Sequence, residues 1–326
     1  MLQNKKLLIT GGAGFIGSNL VEHFLKQNNR VVCLDNFATG KEENIRPFLD
    51  HPDFMLINGD IRDIETCHKA VEGVDIVLHQ AAMGSVPRSI KDPKTTNEVN
   101  ISGFVNMLIA TKEAGIKRFV YAASSSTYGD SAVLPKVEEK IGNPLSPYAV
   151  TKYVNELYAG VFSTLYGLET IGLRYFNVFG RRQDPDGAYA AAIPKFIKAL
   201  VRHESPVIYG DGEQSRDFTY IENVIKANEL AVSVENPEAV NTVYNIAFGE
   251  ATTVNHLVDS LKMYLSRFDP EIANINAIHG DMRKGDILHS LASIEKAKRL
   301  LGYSPQFDIN EGLDRAINWY WDNLKE

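Results

Sequence analysis

A doubly wound α/β fold is predicted here, with a parallel sheet and a smaller C-terminal α/β lobe. Three observations predict it. Short β-branched or aliphatic runs alternate with helical patterns through the first half of the chain. A glycine-rich turn follows the first of these runs. From about Gly180 the alternation gives way to Gly, Pro and Asp clusters and shorter elements. Regular alternation of strand and helix implies a parallel sheet covered on both faces.

The first strand is expected over Lys6 to Thr10 and the first helix from about Phe15 to Gln27. Further strands are expected over Arg30 to Leu34, Phe54 to Asn58, Asp75 to His79 and Arg118 to Ala122. Helical patterns fall near Ile64 to Val71 and Asn97 to Ala114. Thr170 to Tyr175 and Thr242 to Ile246 read as strands that extend the same sheet. The later part reads as helices near Ile193 to Arg202, Asn223 to Val234, Val254 to Leu265, Ile294 to Leu301 and Ile309 to Leu324, with a Gly210-Asp211-Gly212 turn between the first two. The domains are therefore drawn as 1–180 and 181–326, with the segment near 242–247 returning to the first. No repeat or long linker separates them, so a cleft between packed lobes is expected.

The chain has 326 residues, 34 Lys plus Arg against 41 Asp plus Glu, and 44% hydrophobic residues. These proportions exclude a disordered or collagen-like chain. The net charge of −7 argues against nucleic acid as a partner, which needs a basic footprint. Cys33 and Cys67 show neither paired nor metal-like spacing, so no disulfide framework is expected and a reducing cytoplasm is the default. Eight scattered histidines suggest no metal site. Neither a signal peptide nor an apolar run of about 18 residues is seen, so no membrane partner is expected.

Ile9-Thr10-Gly11-Gly12-Ala13-Gly14-Phe15-Ile16-Gly17 lies where the first strand turns into the first helix. Gly12, Gly14 and Gly17 fit the dinucleotide fingerprint, and Gly11, Gly14 and Gly17 fit a related spacing. Such a turn needs glycine for close backbone approach to a pyrophosphate, which then faces the positive end of the helix dipole. The fold class is thus Rossmann-like. Asp35, ending the second strand, would accept hydrogen bonds from ribose hydroxyls and repel a 2′-phosphate. Asn36 follows, with no adjacent Arg, which favours NAD over NADP. Gly59-Asp60-Ile61 is read as bordering the adenine, although Asp60 also suits a plain turn.

Ser146-Pro147-Tyr148 opens a helix, with Ser146 a suitable N-cap and Pro147 suited to the first helical position. Tyr148 and Lys152, four apart, share a face. Ser124, Ser125, Ser126 and Thr127 follow the fifth strand, at the sheet edge where ligands bind. Tyr-x-x-x-Lys by itself is weak. After the glycine fingerprint and the serine run, it becomes specific.

These pieces resemble the extended short-chain dehydrogenases/reductases over essentially the whole chain, and within them the UDP-hexose 4-epimerases, particularly the branch acting on N-acetylated UDP-sugars. The matching residues are Gly11 to Gly17, Leu34-Asp35-Asn36, His79-Gln80-Ala81-Ala82, Asn100, Ser124 to Gly129, Tyr148 with Lys152, Arg174 to Asn177, Arg216-Asp217-Phe218 and Arg283 to Asp286. The resemblance implies a bound NAD contacted by Gly11, Gly14, Phe15, Ile16, Gly17, Asp35, Asn36, Gly40, Asp60, Ile61, Gln80, Ala81, Ala82, Asn100, Tyr148, Lys152 and Tyr175. It implies that Tyr148 takes the proton of the sugar 4-hydroxyl while hydride passes to NAD, that the 4-keto sugar turns, and that hydride returns to its other face. Lys152 and the oxidised nicotinamide would lower the Tyr148 pKa from its reference near 10, with Ser124 and Ser126 bonding the reacting oxygen. By the same resemblance the UDP-sugar falls to Asn177, Gln183, Ala191, Tyr209, Arg216, Arg283 and Asp286, where Arg would grip diphosphate oxygens. Gly84, Ser85, Val86 and Arg88 belong to a loop implied to face the sugar. Ser290 stands where some relatives carry a bulky Tyr, which would leave room for an acetamido group. UDP-GlcNAc/UDP-GalNAc is the expected pair, with UDP-Glc/UDP-Gal or the uronates as alternatives. The helices near Asn97–Ala114 and Tyr148–Tyr166 are implied to form a four-helix homodimer interface.

Rival classes make different demands. A nucleotide-sugar dehydratase needs an acid just after the fifth strand, where this chain has Ser125-Ser126-Thr127. A reductase-epimerase using NADP is opposed by Asp35. A non-catalytic dinucleotide sensor commonly lacks the Tyr/Lys pair retained here.

Overall fold

The computed structural model describes residues 2–184, 192–282 and 288–324. Seven strands form one parallel sheet: β1 (Lys6–Thr10), β2 (Arg30–Asp35), β3 (Phe54–Asn58), β4 (Ile76–His79), β5 (Arg118–Ser124), β6 (Glu169–Tyr175) and β7 (Thr242–Ile246). Their order is β7-β6-β5-β4-β1-β2-β3. The order reverses between β1 and β4, and ligands bind outside the carboxyl ends of strands at such a switch point.

Alternate residues of each strand serve opposite faces. Leu7 and Ile9 of β1 pack with Leu20 and Phe24 on one face, while Leu8 packs with Val32, Met107 and Leu108 on the other. Five helices position the site: α1 (Phe15–Lys26), α2 (Val86–Lys91), α3 (Phe104–Glu113), α4 (Pro147–Tyr166) and α5 (Ile221–Ser233). In α4 the Ser146 hydroxyl accepts the Ala149 N–H at 3.1 Å, Pro147 occupies the first turn, and Gly167 closes the helix at φ +69°. Beyond residue 180 come helices Ala192–Val201, Val254–Leu265, Glu295–Leu301 and Ile309–Asn323 and the short parallel strands Val207–Tyr209 and Ile278–Gly280.

Two elements differ from the sequence reading. The segment after β4, expected as a loop, is the helix α2. The Ser85 hydroxyl accepts the Arg88 N–H and caps it, and six residues are too few to display a helical period. The single helix expected over Asn97 to Ala114 is a short helix (Pro93–Asn97), a π-helical turn (Glu98–Gly103) and then α3. Among the described residues no helix is long and apolar enough to cross a membrane.

Candidate active site

An elongated cavity of about 520 Å³ opens at the switch point. Gly11, Gly14, Phe15, Ile16 and Gly17 form its floor. Gly11 has φ +67°, and a Cβ there would stand 2.7 Å from the Ala81 nitrogen; a Cβ on Gly17 would stand 2.1 Å from the Gly11 carbonyl oxygen. Only glycine permits this approach of turn, helix and neighbouring strand end. Asp35 is buried at the wall, where its carboxylate accepts the Ala13 N–H at 2.9 Å and the Phe37 N–H at 2.8 Å. A carboxylate has lone pairs beyond these two, so Asp35 retains capacity to bind ribose. Burial pushes its pKa up against those bonds. Asn36, Gly40, Asp60 and Ile61 continue the wall. Asp60 also fulfils the turn role, accepting Arg62 through two nitrogens and the Asn36 amide at 2.8 Å. The residues present fit an NAD: a glycine cradle at a helix start, a ribose-side carboxylate and a cavity of cofactor-site volume.

Gln80, Ala81, Ala82, Gly84, Ser85, Arg88, Tyr148, Lys152 and Tyr175 line the same cavity. The Tyr175 hydroxyl meets Gln80 Oε1 at 3.3 Å and Asn228 Oδ1 at 3.2 Å. Asn100 stands behind the wall instead. It accepts the Met83 N–H at 2.7 Å and donates to Thr151, so it fixes the loop that leads to the sugar-facing segment. Ser85 holds φ +125°, a strained value for a residue with a side chain. Val86 begins α2, and 39% of its surface is exposed.

Lys152 is buried, and its ammonium donates to the Ala122 carbonyl on β5 at 2.8 Å, 6.0 Å from the Tyr148 ring centre. Burial draws its pKa down to about 8, against the pull of Glu156. Burial pushes Tyr148 up, and the Ser124 hydroxyl opposes that rise. In the protein alone the Ser124 hydroxyl is the side chain that favours the phenolate, while Lys152 places its charge beside the Tyr148 ring. Ser126 donates to the Ser124 hydroxyl at 2.9 Å, and both belong to the turn that Ser124 caps.

A second cavity of about 290 Å³ is lined by Asn177, Gln183, Tyr209, Gln214 and Arg216 with Phe179, Phe196 and Phe218. Gln183 lines both cavities. Ser290 lines neither; its N–H donates to the Ser215 carbonyl at 3.1 Å, next to Arg216. Ala191, Arg283 and Asp286 lie outside the described residues. Sequence reasoning missed Gln214, whose amide donates to the Tyr209 carbonyl at 2.7 Å, and Lys41 and Asp184 on the first cavity. Their signal was spatial, not local.

The family model of the NAD dependent epimerase/dehydratase family matches residues 7–247. A putative UDP-glucose 4-epimerase of Methanocaldococcus jannaschii is 39% identical, over 97% of this chain and 99% of its own. A UDP-N-acetylglucosamine 4-epimerase from Methanobrevibacter ruminantium, solved with UDP-N-acetylmuramic acid, superposes with a TM-score of 0.91 at 39% identity, covering 98% of this chain and 99% of that one. A UDP-glucuronic acid 4-epimerase from Bacillus cereus, solved with UDP-glucuronic acid and NAD, gives 0.86 at 31% identity, covering 97% and 99%. With the family model spanning most of the chain and a relative of this identity matching end to end, the chain belongs to the NAD-dependent epimerase/dehydratase family, and its cofactor is NAD.

Proposed function

We propose that the protein is an isomerase that interconverts UDP-GlcNAc and UDP-GalNAc by NAD-dependent 4-epimerisation. The observation that carries this reading is the pair of cavities that share Gln183 as a lining residue, with Tyr148 and Lys152 at the first and Arg216 at the second. In this reading residues 1–180, with β7 returned to the sheet, hold the cofactor, and 181–326 hold the UDP moiety. When bound, NAD supplies the hydride acceptor and donor. Tyr148 takes the proton of the sugar 4-hydroxyl and later returns it. Ser124 stabilises the phenolate, Ser126 orients Ser124, and Lys152 supplies positive charge beside them. Asn177 and Arg216, together with Arg283, hold the UDP portion while the keto sugar turns.

The acetamido preference is supported by the Gly84–Arg88 segment, of which Gly84, Ser85 and Arg88 line the first cavity. The neighbour named for N-acetylglucosamine, at 39% identity, supports it too. The dehydratase reading is disfavoured. The acidic residues on the described wall of the first cavity are Asp35, Asp60 and Asp184, and the turn after β5 presents Ser125, Ser126 and Thr127. Exposed Val150, Leu157, Val161 and Leu165 form one stripe along α4, which supports a homodimer through that helix; light scattering would measure it.

The deciding experiment incubates the purified protein with UDP-GlcNAc, UDP-Glc and their 6-carboxylate forms in turn, and separates the products. UDP-GalNAc formed at the highest kcat/KM is the expected result. Faster conversion of a uronate or of UDP-Glc would reassign the sugar, and no conversion of any of them would overturn the reading.

A further inference from the structure

Tyr148, Lys152 and Glu156 follow one another at four-residue steps on α4, so their side chains share a face. The first two are the proposed chemistry. Glu156 is not assigned a role by it, although its side chain is only 8% exposed. Arg174 of β6, 3% exposed, grips this carboxylate with both prongs: Nε donates to Oε1 at 2.8 Å and Nη2 donates to Oε2 at 2.7 Å. Arg174 also donates to the Glu138 carbonyl at 3.0 Å and stacks 4.9 Å over the Tyr128 ring. Glu156 therefore has a fixed place in a low-dielectric interior, where charges act on one another strongly.

Lys152 faces few other charges. On its own helix stand Tyr148 and Glu156. His79 of β4 feels Lys152 and is held neutral, its pKa drawn down to about 3 chiefly by burial. Tyr121 of β5 feels Glu156 and Arg174, and burial keeps its phenol protonated. Asn100 and Asn155, buried and joined by a hydrogen bond from the Asn155 amide to the Asn100 carbonyl, carry no charge. The favourable influence on the Lys152 cation comes from Glu156.

We propose that Glu156 is a positioning residue for the reaction: fixed by Arg174, its carboxylate keeps Lys152 cationic and thereby keeps the charge that the Tyr148 base requires. The proposal rests on the epimerase reading for its catalytic consequence, and for the charge coupling on the shared helix face and the Arg174 clamp that fixes Glu156. The two can fail separately.

The test is a ¹³C NMR titration of the Lys152 Cε in lysine-labelled protein, assigned with Lys152→Met, alongside the pH profile of kcat. Glu156→Gln should lower the Lys152 midpoint by about one pH unit, the low end for a neighbouring opposite charge, and move the alkaline limb of kcat the same way. Arg174→Met leaves the carboxylate uncompensated and should raise the midpoint. Because a half-removed buried pair destabilises strongly, the apolar double variant Glu156→Leu/Arg174→Met is the fold-preserving control, and it should lower the midpoint. A purely structural pair would shift melting temperature and leave every midpoint in place. An unshifted midpoint in whichever folded variant lacks Glu156 would overturn the proposal. Shifted midpoints with no epimerisation of any nucleotide sugar would instead overturn the functional reading.

Discussion

Lys41, on the loop after β2, meets Asp184 across the cofactor cavity, with its Nζ 3.1 Å from Oδ1. Both residues line that cavity, and Arg182, two residues before Asp184, is tied to Glu22 of α1 at 2.7 Å. The chain following residue 180 is thus fastened to the nucleotide-binding half on both sides of the glycine turn. The Lys41–Asp184 pair is 38% and 41% exposed, so it is worth no more than about 1 kcal/mol, or roughly fivefold in an equilibrium. Lys41→Met and Asp184→Asn should each speed NAD loss on dialysis by up to about fivefold and blunt the effect of added salt. Equal retention in wild type and both variants would show that the pair does not hold the cofactor.

Tyr148→Phe keeps the ring and removes the proton acceptor. Turnover should fall by at least about a hundredfold, the scale for losing a positioned acid/base, while UDP-sugar binding changes little. Because burial raises the Tyr148 pKa, the acidic limb of the wild-type profile should reflect how far bound NAD, Lys152 and Ser124 together bring it back. Ser124→Ala should therefore shift that limb to higher pH. Near-normal turnover in Tyr148→Phe contradicts the assigned role.

Much of this site was legible along the chain. The strands Lys6–Thr10, Phe54–Asn58 and Thr242–Ile246 and the helix Val254–Leu265 coincide with their hydrophobic patterns, because buried parallel strands and amphipathic helices write their periods locally. The glycine turn, Asp35 and the Tyr148/Lys152 face were legible for the same reason, each being a short-range pattern. Helix α2 was not, since its cap Ser85 sits in a strained conformation and its length gives no period. Nor were Lys41 with Asp184, or Glu156 with Arg174. Each pair joins residues that only the folded sheet brings together, and charged residues at those positions look like ordinary solvated surface.

Asp217 gives a pH signature. It is fully buried and accepts the N–H groups of Phe248, Gly249 and Ala292, joining three segments beside Arg216. Burial nevertheless pushes its carboxyl from 3.8 up to about 7. A carboxyl with a raised folded pKa binds more protons in the native state than in the unfolded state. Its contribution to stability is therefore full below the unfolded value and is lost as pH rises toward 7. Melting curves should show wild type losing stability over that window relative to Asp217→Asn, which has nothing to ionise there. The variant itself should be less stable at low pH by about 1–3 kcal/mol, because an amide cannot accept all three N–H groups. Parallel curves for the two proteins would rule out ionisation of Asp217 in this range.

Ser290 bears on the sugar. Its N–H is bonded to the Ser215 carbonyl, and the Leu288 carbonyl two residues earlier accepts from Arg216 at 3.3 Å. This places Ser290 beside the residue proposed to hold the diphosphate, although not on the described wall of either cavity. The helix that follows, Glu295–Leu301, has Ile294 at its N-cap position and no side-chain cap. Ser290→Tyr would add a phenol ring at this point. Overpacking a closed site costs about 1–3 kcal/mol, roughly ten- to 150-fold in an equilibrium, and relaxation of the segment favours the lower figure. The 2-hydroxyl of UDP-Glc is smaller than the acetamido group of UDP-GlcNAc and should still fit. The variant should therefore lose about tenfold more kcat/KM toward UDP-GlcNAc than toward UDP-Glc, with a melting temperature close to that of wild type. If both sugars lose activity in proportion and the melting temperature falls with them, Ser290 acts only through the packing of its segment against Ser215, and the tolerance for the acetamido group must be set elsewhere.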